Sequence, residues 1–437
     1  MTKDSYSLRV GSGLNYACLR CGRCCRRWYA PISREEAERL KSLDWSGEKE
    51  LNLPEAFTVN IKGRTYLAHR ENGDCVFLDP ETYACRIHAC FGSQEKPLGC
   101  RLYPLNLQRT FEGEVSVNLR FDCPAVQQQH GPALTAQNQP EVQTAVQLLQ
   151  FPPAFDETDT AGLSCEAIEL IVDGARQLLH RNDLGAGEKS LILMNYKRRL
   201  EGLGAAFLND IGTMREVMPS FLDRTISQVH SKRFKRLKLI SRMAFRQWLV
   251  LMFRRDEDIP QSGLLTRLGR GAASVKLTTG FGSLHAVGHV HPDYPLSHAP
   301  IFPSRGETRY ADVEILARQG ETAASADAGD PFSLYWRFFE ARLETLQFFG
   351  PAVYGKSFFD GLRGLIQTYA VVLAAARYHA AARGNTELEE SDVAYGVGVV
   401  DHNFDKCTPW QARLQNSFEA YFDNWRYGLL LRRLGWA

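Results

Sequence analysis

The sequence predicts an α+β fold in which a small cysteine-rich domain is followed by a mainly α-helical domain. Nine of the 11 cysteines fall between Cys18 and Cys123, among short stretches in which apolar and polar residues alternate as they do in strands. Farther along the chain, apolar residues recur at the three- and four-residue spacing of helices. The predicted parts are a cysteine-cluster domain over 1–125, a linker over 126–160, and a mainly helical domain over 161–437.

Composition and charge place the chain among ordinary globular proteins. Of its 437 residues, 44% are hydrophobic and 23% are charged. The formal net charge of +2 gives no general attraction to nucleic acid, so we expect no nucleic-acid partner. No apolar stretch approaches the roughly 18 residues of a transmembrane helix, and residues 1–20 lack the apolar core of a secretory signal. We therefore expect a cytoplasmic protein with no transmembrane segment.

The elements of the first domain can be placed by local signals. Ser33–Glu36 is a capping box, which predicts the start of a short helix. Phe57–Ile61 and Thr65–Ala68 alternate apolar and polar residues, and Lys62-Gly63 between them predicts a hairpin turn. Val115–Phe121 alternates in the same way and predicts a third strand. We expect the cysteines to lie mostly on loops between these elements.

The second half has the apolar spacing of a helical domain. Ser164 can cap a helix that carries a continuous apolar face from Ile168 to Leu179. Residues 256–331 are rich in Gly, Pro and His, so an irregular insert with short β-like pieces such as Ala272–Thr278 is expected there. Asp401-His402 is interpreted as the end of a helix. Further helices are predicted over 188–208, 213–229, 232–254, 332–349, 353–383, 389–403 and 410–434.

The cysteines carry the strongest chemical signal. Cys18-Leu-Arg-Cys21-Gly-Arg-Cys24-Cys25 places several thiols on one tight loop, and Gly22 allows the positive φ that such loops need. Cytosolic thiols are kept reduced, so this density favours metal binding over disulfides or a set of free cysteines. Soft thiolate ligands suit both an iron–sulfur cluster and zinc. The sequence does not determine which metal binds or how many metal centres there are.

A second group of cysteines follows beside turn residues, and it completes a set of candidate ligands. Because Cys24 and Cys25 are adjacent, we expect their side chains to point apart, which favours two centres or one centre plus a structural cysteine. Cys90 is left without a role. The six arginines of the motif loops would favour the thiolate form. The candidate metal ligands are Cys18, Cys21, Cys24, Cys25, Cys75, Cys85, Cys100 and Cys123.

Several short motifs resemble a known family when they are taken in their order along the chain. They are Cys18–Cys25, Asp74–Leu78, Cys85–His88, Cys100–Pro104 and Asp122–Pro124. Together these motifs are similar to the CxxCxxCC family of zinc- or iron-chelating domains. The resemblance covers about the first 125 residues, and it implies a metal or iron–sulfur centre.

In some features the sequence resembles one long branch of that family, flagellin lysine-N-methylase, more closely than the other members. Fourteen residues separate Cys85 from Cys100, Gly92 lies within that gap, and Trp28 follows the double cysteine. The spacing from Cys18 to Cys24 is instead that of the short members. The branch resemblance implies methyl transfer from S-adenosylmethionine to protein lysines, with flagellin as the partner.

The remaining sequence does not show an ordinary binding site for S-adenosylmethionine. Gly280-Phe-Gly282 and Gly396-Val-Gly398 are only weak matches to a glycine-rich turn, and Gly185–Ser190 is interpreted as the start of a helix. Three hypotheses follow. The first is a metal-cluster protein that acts on another protein, in its most specific version as a lysine N-methylase. The second is a non-catalytic zinc or iron–sulfur module with a helical partner-binding domain. The third is a structural cluster beside a helical domain that carries the activity.

Overall fold

The α+β class is confirmed, with a small strand-containing region at the N-terminal end and helices over most of the remainder. The structure is a computed structural model, and it describes residues 6–27, 29–46, 57–61, 63–70, 74–135, 142, 146, 151–230, 237–253, 274–275, 278–279, 283–284, 308–309, 330–383, 385, 387–404 and 409–434.

The N-terminal region is built from short elements. Its strands are β1 (Ser7–Val10), β2 (Thr58–Ile61), β3 (Arg64–Leu67), β4 (Leu105–Arg109) and β5 (Glu114–Leu119). Its helices are α1 (Arg23–Arg27), α2 (Arg34–Ser42), α3 (Arg86–Phe91), α4 (Leu98–Leu102) and α5 (Pro124–Gln127).

The rest of the chain contains the longer helices and one very short strand pair. The helices are α6 (Cys165–Leu179), α7 (Ala186–Leu203), α8 (Ala205–Leu208), α9 (Ile211–His230), α10 (Leu239–Phe253), α11 (Ser333–Glu344), α12 (Phe358–Ala382), α13 (Glu390–Phe404), α14 (Pro409–Phe422) and α15 (Trp425–Arg433). The strand pair is β6 (Ser283–Leu284) with β7 (Thr308–Arg309).

Two small sheets organise the N-terminal region. Strands β2 and β3 form the predicted antiparallel hairpin, in which Val59 lies opposite Tyr66. Strand β5 is the centre of a second sheet of order β1-β5-β4, with β1 parallel and β4 antiparallel to it. The residues of β5 after Glu114 are all buried, so this strand is covered on both faces.

The observed helices confirm most of the helices predicted from apolar spacing. Three local features differ from the prediction. The pattern over 188–208 is divided at Gly204, whose φ of 78° ends α7. The pattern over 410–434 is divided before α15, because the Asn424 side chain caps a new helix by accepting from the Arg426 N–H at 2.8 Å. The β-like segment Ala272–Thr278 is wrong in its described part, because 274–275 and 278 are helical.

Two hydrophobic cores lie on either side of the cysteine region. A small core joins Ile32, Leu40, Leu67, Phe77 and Ile87. A much larger core joins the long helices, and strand β5 belongs to it. The central element of the large core is α12, a buried helix that packs against α13 and α7.

Hydrogen bonds fasten the second sheet to the helices. The Gln347 side chain donates to the Asn106 carbonyl at 3.0 Å, and the Gln108 side chain donates to the Phe349 carbonyl at 3.1 Å. Both contacts join β4 to the segment after α11. The chain around Cys123, which follows β5, is therefore held directly against the helical part. The domain boundaries at 125 and 161 stay a prediction.

None of the helices in the described ranges combines the length and the apolarity that crossing a membrane would require.

Candidate metal centre

The double-cysteine loop leads directly into helix α1. Gly22 has a φ of 67°, as predicted, and a Cβ at this position would lie 3.0 Å from the Leu78 side chain. The turn brings Cys24 and Cys25, both in α1, against the Cys75 segment. The Cys75 N–H donates to the Cys25 carbonyl at 2.7 Å. This bond joins the two halves of the cysteine constellation.

Five of the eight predicted ligands surround one enclosed space. A cavity of about 40 Å³ lies between the small core and the chain before β4. Besides the thiols, Phe77, Ile87, Lys96 and Tyr103 contribute to its wall. The five cysteines that line it are Cys24, Cys25, Cys75, Cys85 and Cys100.

Short elements, rather than loops alone, position these thiols. Cys24 and Cys25 belong to α1, Cys85 is the N-cap residue of α3, and Cys100 lies within α4. Cys75 is buried at a bridge to His69. Helix ends fix the direction of a side chain more firmly than an open loop does, so the five sulfurs have a defined arrangement.

The adjacent pair does not diverge, contrary to the sequence expectation. The sulfurs of Cys24 and Cys25 are 3.8 Å apart, and both residues face the same cavity. Two sulfurs on one tetrahedral ion stand about 3.8 Å apart when each metal–sulfur bond is about 2.3 Å. The helical backbone of α1 contributes to this, because successive side chains of a helix diverge by about 100° and not by the roughly 180° of an extended strand. The pair therefore no longer requires two centres.

Backbone amides point at several of the sulfurs. The Phe77 N–H donates to the sulfur of Cys75, and the N–H groups of Ile87 and His88 donate to that of Cys85. The Arg20 N–H lies 3.4 Å from the sulfur of Cys18. Hydrogen bonds of this kind stabilise a negative charge on sulfur, so they favour bound thiolates.

Burial keeps most of the cavity thiols protonated when they bind nothing. It raises the pKa of Cys75 to about 12, and it raises the pKa values of Cys85 and Cys100 as well. Cys24 is different, since the hydrogen bond from the Cys25 thiol lowers the pKa of Cys24 to about 7. A metal ion would reverse the effect of burial, because ligand thiols bind in the ionised form.

Lys96 supplies a positive charge to this cavity, and the sequence did not predict that role. Burial alone would lower its pKa, but the charges of Cys85, Cys100 and the double cysteine raise it. In the described part of the chain, no carboxylate lies within ion-pair distance of its ammonium group. Lys96 therefore has thiols where most buried lysines have carboxylates, and it would offset the negative charge of a four-thiolate centre.

The arginines expected to serve the centre are partly committed elsewhere. Arg26 pairs with Asp74 at 3.1 Å and lies over the ring of Tyr83. Arg86 pairs with Asp79 at 3.4 Å. The sequence signal for Lys96 was its position in the gap between Cys85 and Cys100, but the density of arginines obscured it.

The other predicted ligands lie around the cavity rather than in its wall. Cys123 is buried, and burial raises its pKa to about 12. The charges of Cys18, Cys123 and Cys24 all act on the Tyr16 hydroxyl, so these thiols share one neighbourhood. Cys21 and Cys90 are exposed. Cys407 lies outside the described residues.

A larger pocket opens beside the cavity. It has a volume of about 270 Å³, and Lys96 and Tyr103 belong to both walls. Cys18 and His88 also line this pocket. Much of the wall is supplied by the chain between Cys85 and Cys100, namely His88, Ser93, Gln94, Lys96 and Leu98.

The residues fit a thiolate-bound metal centre in their chemistry. Five thiols, amide donors and one cation converge on a single cavity. Within the described ranges, no three Cys, His, Asp or Glu side chains stand at the mutual distances of ligands on one ion. The thiols therefore surround a space, and binding would draw their sulfurs inward.

The spacing and order of these cysteines match a known family. Residues 17–124 match the model of the CxxCxxCC family, described as a "Putative zinc- or iron-chelating domain". Residues 17–124 therefore resemble a CxxCxxCC domain. No curated protein and no solved structure matches the chain significantly.

All five cysteines of the cavity lie inside the segment that matches the CxxCxxCC model, as do Lys96 and Tyr103. The matched segment ends at residue 124, immediately after Cys123. It therefore spans both the small core and the strands that reach the helical part. The family match supports a general function, which is the chelation of zinc or iron by a cysteine-rich module.

The glycine motifs of the sequence do not form a nucleotide-type turn where the structure describes them. Gly396 lies within α13, where a Cβ would approach the Val372 carbonyl to 2.6 Å, so it permits close helix packing. Gly185 is the N-cap residue of α7, as predicted, and its N–H donates to Glu188. Gly280-Phe-Gly282 lies outside the described residues.

Proposed function

We propose that the CxxCxxCC domain holds an iron–sulfur centre in the five-thiol cavity, with zinc as the alternative occupant. The observation that carries this proposal is the convergence of Cys24, Cys25, Cys75, Cys85 and Cys100 on one space beside Lys96. A reducing cytoplasm, the location we propose, keeps such thiols available for metal. Cys18, Cys21 and Cys123 are proposed as further ligands around the same site.

The donor set does not by itself choose between iron and zinc, because soft thiolates serve both metals. Five thiols at one cavity are enough for the four ligands of either a structural zinc site or an iron–sulfur cluster, and paired sulfurs at 3.8 Å suit either one zinc or one iron of a two-iron cluster. The preference for iron comes from the resemblance of the sequence to the long branch of the family. An iron–sulfur cluster, when bound, would supply electron transfer.

Metal analysis tests this proposal. Protein purified anaerobically should be brown, with iron and acid-labile sulfide in equal amounts. Cys100→Ser should lose most of that metal, whereas Cys90→Ser should keep it, because Cys90 is exposed and outside the cavity wall. A colourless protein with stoichiometric zinc would show that zinc, and not iron, occupies the site. Unchanged metal in Cys100→Ser would reject the site.

We further propose that the centre serves an enzyme, in its most specific version a protein-lysine N-methylase that uses S-adenosylmethionine and takes flagellin as its partner. The support is that the long gap between Cys85 and Cys100, on which the branch resemblance depends, supplies much of the pocket wall beside the thiols. A pocket next to a metal centre is a common arrangement for substrate binding. The acceptor lysine must lose its proton before attack.

The assay for methyl transfer is direct. Metal-loaded protein incubated anaerobically with S-adenosylmethionine and flagellin should add mass increments of one methyl group to flagellin lysines. Cys100→Ser should abolish the gain, and Cys90→Ser should retain it. The absence of methylation with the metal content intact would reject the methylase while leaving the metal centre in place.

The second candidate is a non-catalytic metal module whose helical part binds a partner protein. It is favoured by Gly396, because this glycine serves helix packing and not a glycine-rich cofactor turn. Under this candidate the metal would stabilise the fold, and the methylation assay would give no product at any metal loading.

A further inference from the structure

The larger pocket beside the thiol cavity has a one-sided electrostatic lining. Lys96 and Arg101 are both in its wall, together with the polar side chains of Ser93 and Gln94. No Asp or Glu is among the described residues that line it. At about 270 Å³ it is slightly smaller than the roughly 300 Å³ at which drug-sized ligand sites begin, so it suits a small molecule.

Arg101 is the residue best placed to select a ligand. Its Nη1 donates to the Gln94 side chain at 2.9 Å, which holds the guanidinium in place. Its Nε is buried and donates to no acceptor in the described part of the chain. No described carboxylate forms an ion pair with Arg101 either. Water or a ligand can supply the missing acceptor, and Arg101 lies in the wall of a pocket that can hold either.

The positive charge of the pocket extends beyond Arg101. Lys96 forms part of the wall, and the charges of Lys96 and Arg20 both reach the His88 ring. Of the proposed metal ligands, Cys18 lies in the pocket wall itself, and the five cavity thiols lie in the adjacent cavity behind Lys96 and Tyr103. The remaining wall is apolar, and Tyr16, Leu98 and Leu105 contribute to it.

We propose that this pocket binds a small anionic molecule through a carboxylate or phosphate group placed on Arg101 and Lys96, with its apolar part against the leucines. The inference deepens the proposed function, and it rests on that function for the role of the ligand beside a metal centre. Arginine binds both anions through paired N–H groups, so the shared chemistry is an oxyanion with two acceptor oxygens.

Equilibrium dialysis of metal-loaded protein tests the proposal with inorganic phosphate and, in a separate arm, acetate. At constant ionic strength, at least one of the two anions should bind at one site per chain. The anion that binds more tightly shows whether the natural ligand carries a phosphate or a carboxylate group. Arg101→Gln should weaken binding by about tenfold or more, the usual effect of losing a charged hydrogen bond. Arg413→Gln, an exposed arginine on α14, should bind like the wild type.

Arg101→Lys provides the second variant, because it keeps the charge but loses the fork of donors. It should bind more tightly than Arg101→Gln and more weakly than the wild type. The proposal fails if neither anion binds, if Arg101→Gln binds as the wild type does, or if methylammonium binds in place of the anions. Metal content measured on every sample separates this failure from that of the centre itself: loaded protein without anion binding rejects only the pocket.

Discussion

Cys24 is the cavity thiol that ionises most readily. Of the five thiols at the cavity, it alone has a pKa below its ordinary value, at about 7, because Cys25 donates a hydrogen bond to its sulfur. The same bond, together with burial, raises the pKa of Cys25. The pair thus holds one proton between its two sulfurs more readily than it holds none.

The number of protons released on metal binding should reveal the difference in pKa between Cys24 and the other cavity thiols. Bound thiolates have lost their protons, so zinc added to metal-free protein should release about four protons at about pH 5.5 from a four-thiolate site that includes Cys24. At about pH 8.5 it should release about three, since Cys24 is already ionised there while burial keeps Cys75 protonated. A pH indicator in weakly buffered solution measures both values. Equal release at the two pH values would contradict the low pKa of Cys24.

Lys96 should matter to metal retention although it ligates nothing. Its ammonium faces Cys85 and Cys100, so Lys96→Gln removes a charge that offsets the thiolates. We expect metal affinity, measured by competition with a chelator, to fall by about 10- to 100-fold, the usual range for a supporting residue. Lys41→Gln is the matched control, because Lys41 is exposed on α2 and pairs with Glu38, outside the cavity. Similar losses in both variants would mean that overall charge, not position, is responsible.

At the level of single residues, the sequence identified the thiols better than their surroundings. Cysteine spacing marked eight cysteines as candidate ligands without dividing them among centres, and the five that line the cavity are among those eight. It did not reveal the direction of adjacent side chains, which depends on the helical turn of α1. It also missed Lys96, because which cation faces a site depends on contacts between segments distant in the chain.

Among the short elements, α2 and α4 are joined by one carboxylate. Glu36 completes the capping box of α2 by accepting from the Ser33 N–H at 2.8 Å. Its other oxygen accepts from the Leu98 N–H at 2.7 Å, at the start of the helix that carries Cys100. The capping residue of one helix thus fixes the position of a cavity thiol.

Two substitutions separate these roles of α2. Ser33→Ala should lower the free energy of unfolding by about 1 kcal/mol, because it removes only the cap. Glu36→Ala should cost a similar amount and also speed the release of metal to a chelator, because α4 loses its anchor at Leu98. Denaturant unfolding and release kinetics measure the two effects. Equal release rates in the two variants would show that Glu36 does not position Cys100.

Elements whose signal is local were predicted well from the sequence. The cap at Ser164 and the apolar spacing after it place α6 correctly. Strands β1 and β4 were missed, because each is defined by pairing with β5 and not by a pattern of its own. The helix breaks at Gly204 and Asn424 were missed because apolar spacing continues across them, while single residues with special backbone geometry interrupt the helices.

A buried polar network links the cysteine region to the helical part across the whole molecule. The Tyr103 hydroxyl, in the wall of the cavity, donates to Asp122 at 3.0 Å. Asp122 pairs with Arg120 at 2.9 Å, and its N–H donates to Asp401 of α13 at 3.3 Å. Asp401 accepts from Arg342 of α11 at 2.7 Å. The interpretation of Asp401 as an ordinary helix end missed this network, since its partners lie about 60 and 280 residues away in the chain.

Asp401 should therefore be a stability determinant for the entire chain. The side chain is fully buried, and Asp401→Asn keeps its shape while removing the negative charge that Arg342 and Arg120 share. Breaking a buried charge pair costs about 3–5 kcal/mol, so we expect the free energy of unfolding to fall by that amount. Asp183→Asn, which breaks an exposed pair with Arg181, should leave the free energy of unfolding nearly unchanged. Denaturant unfolding followed by helical circular dichroism gives both values.

Because the network begins at the cavity wall, Asp401→Asn should also reduce the increase in melting temperature that metal loading confers. An unchanged increase would show that the centre and the helices are stabilised independently.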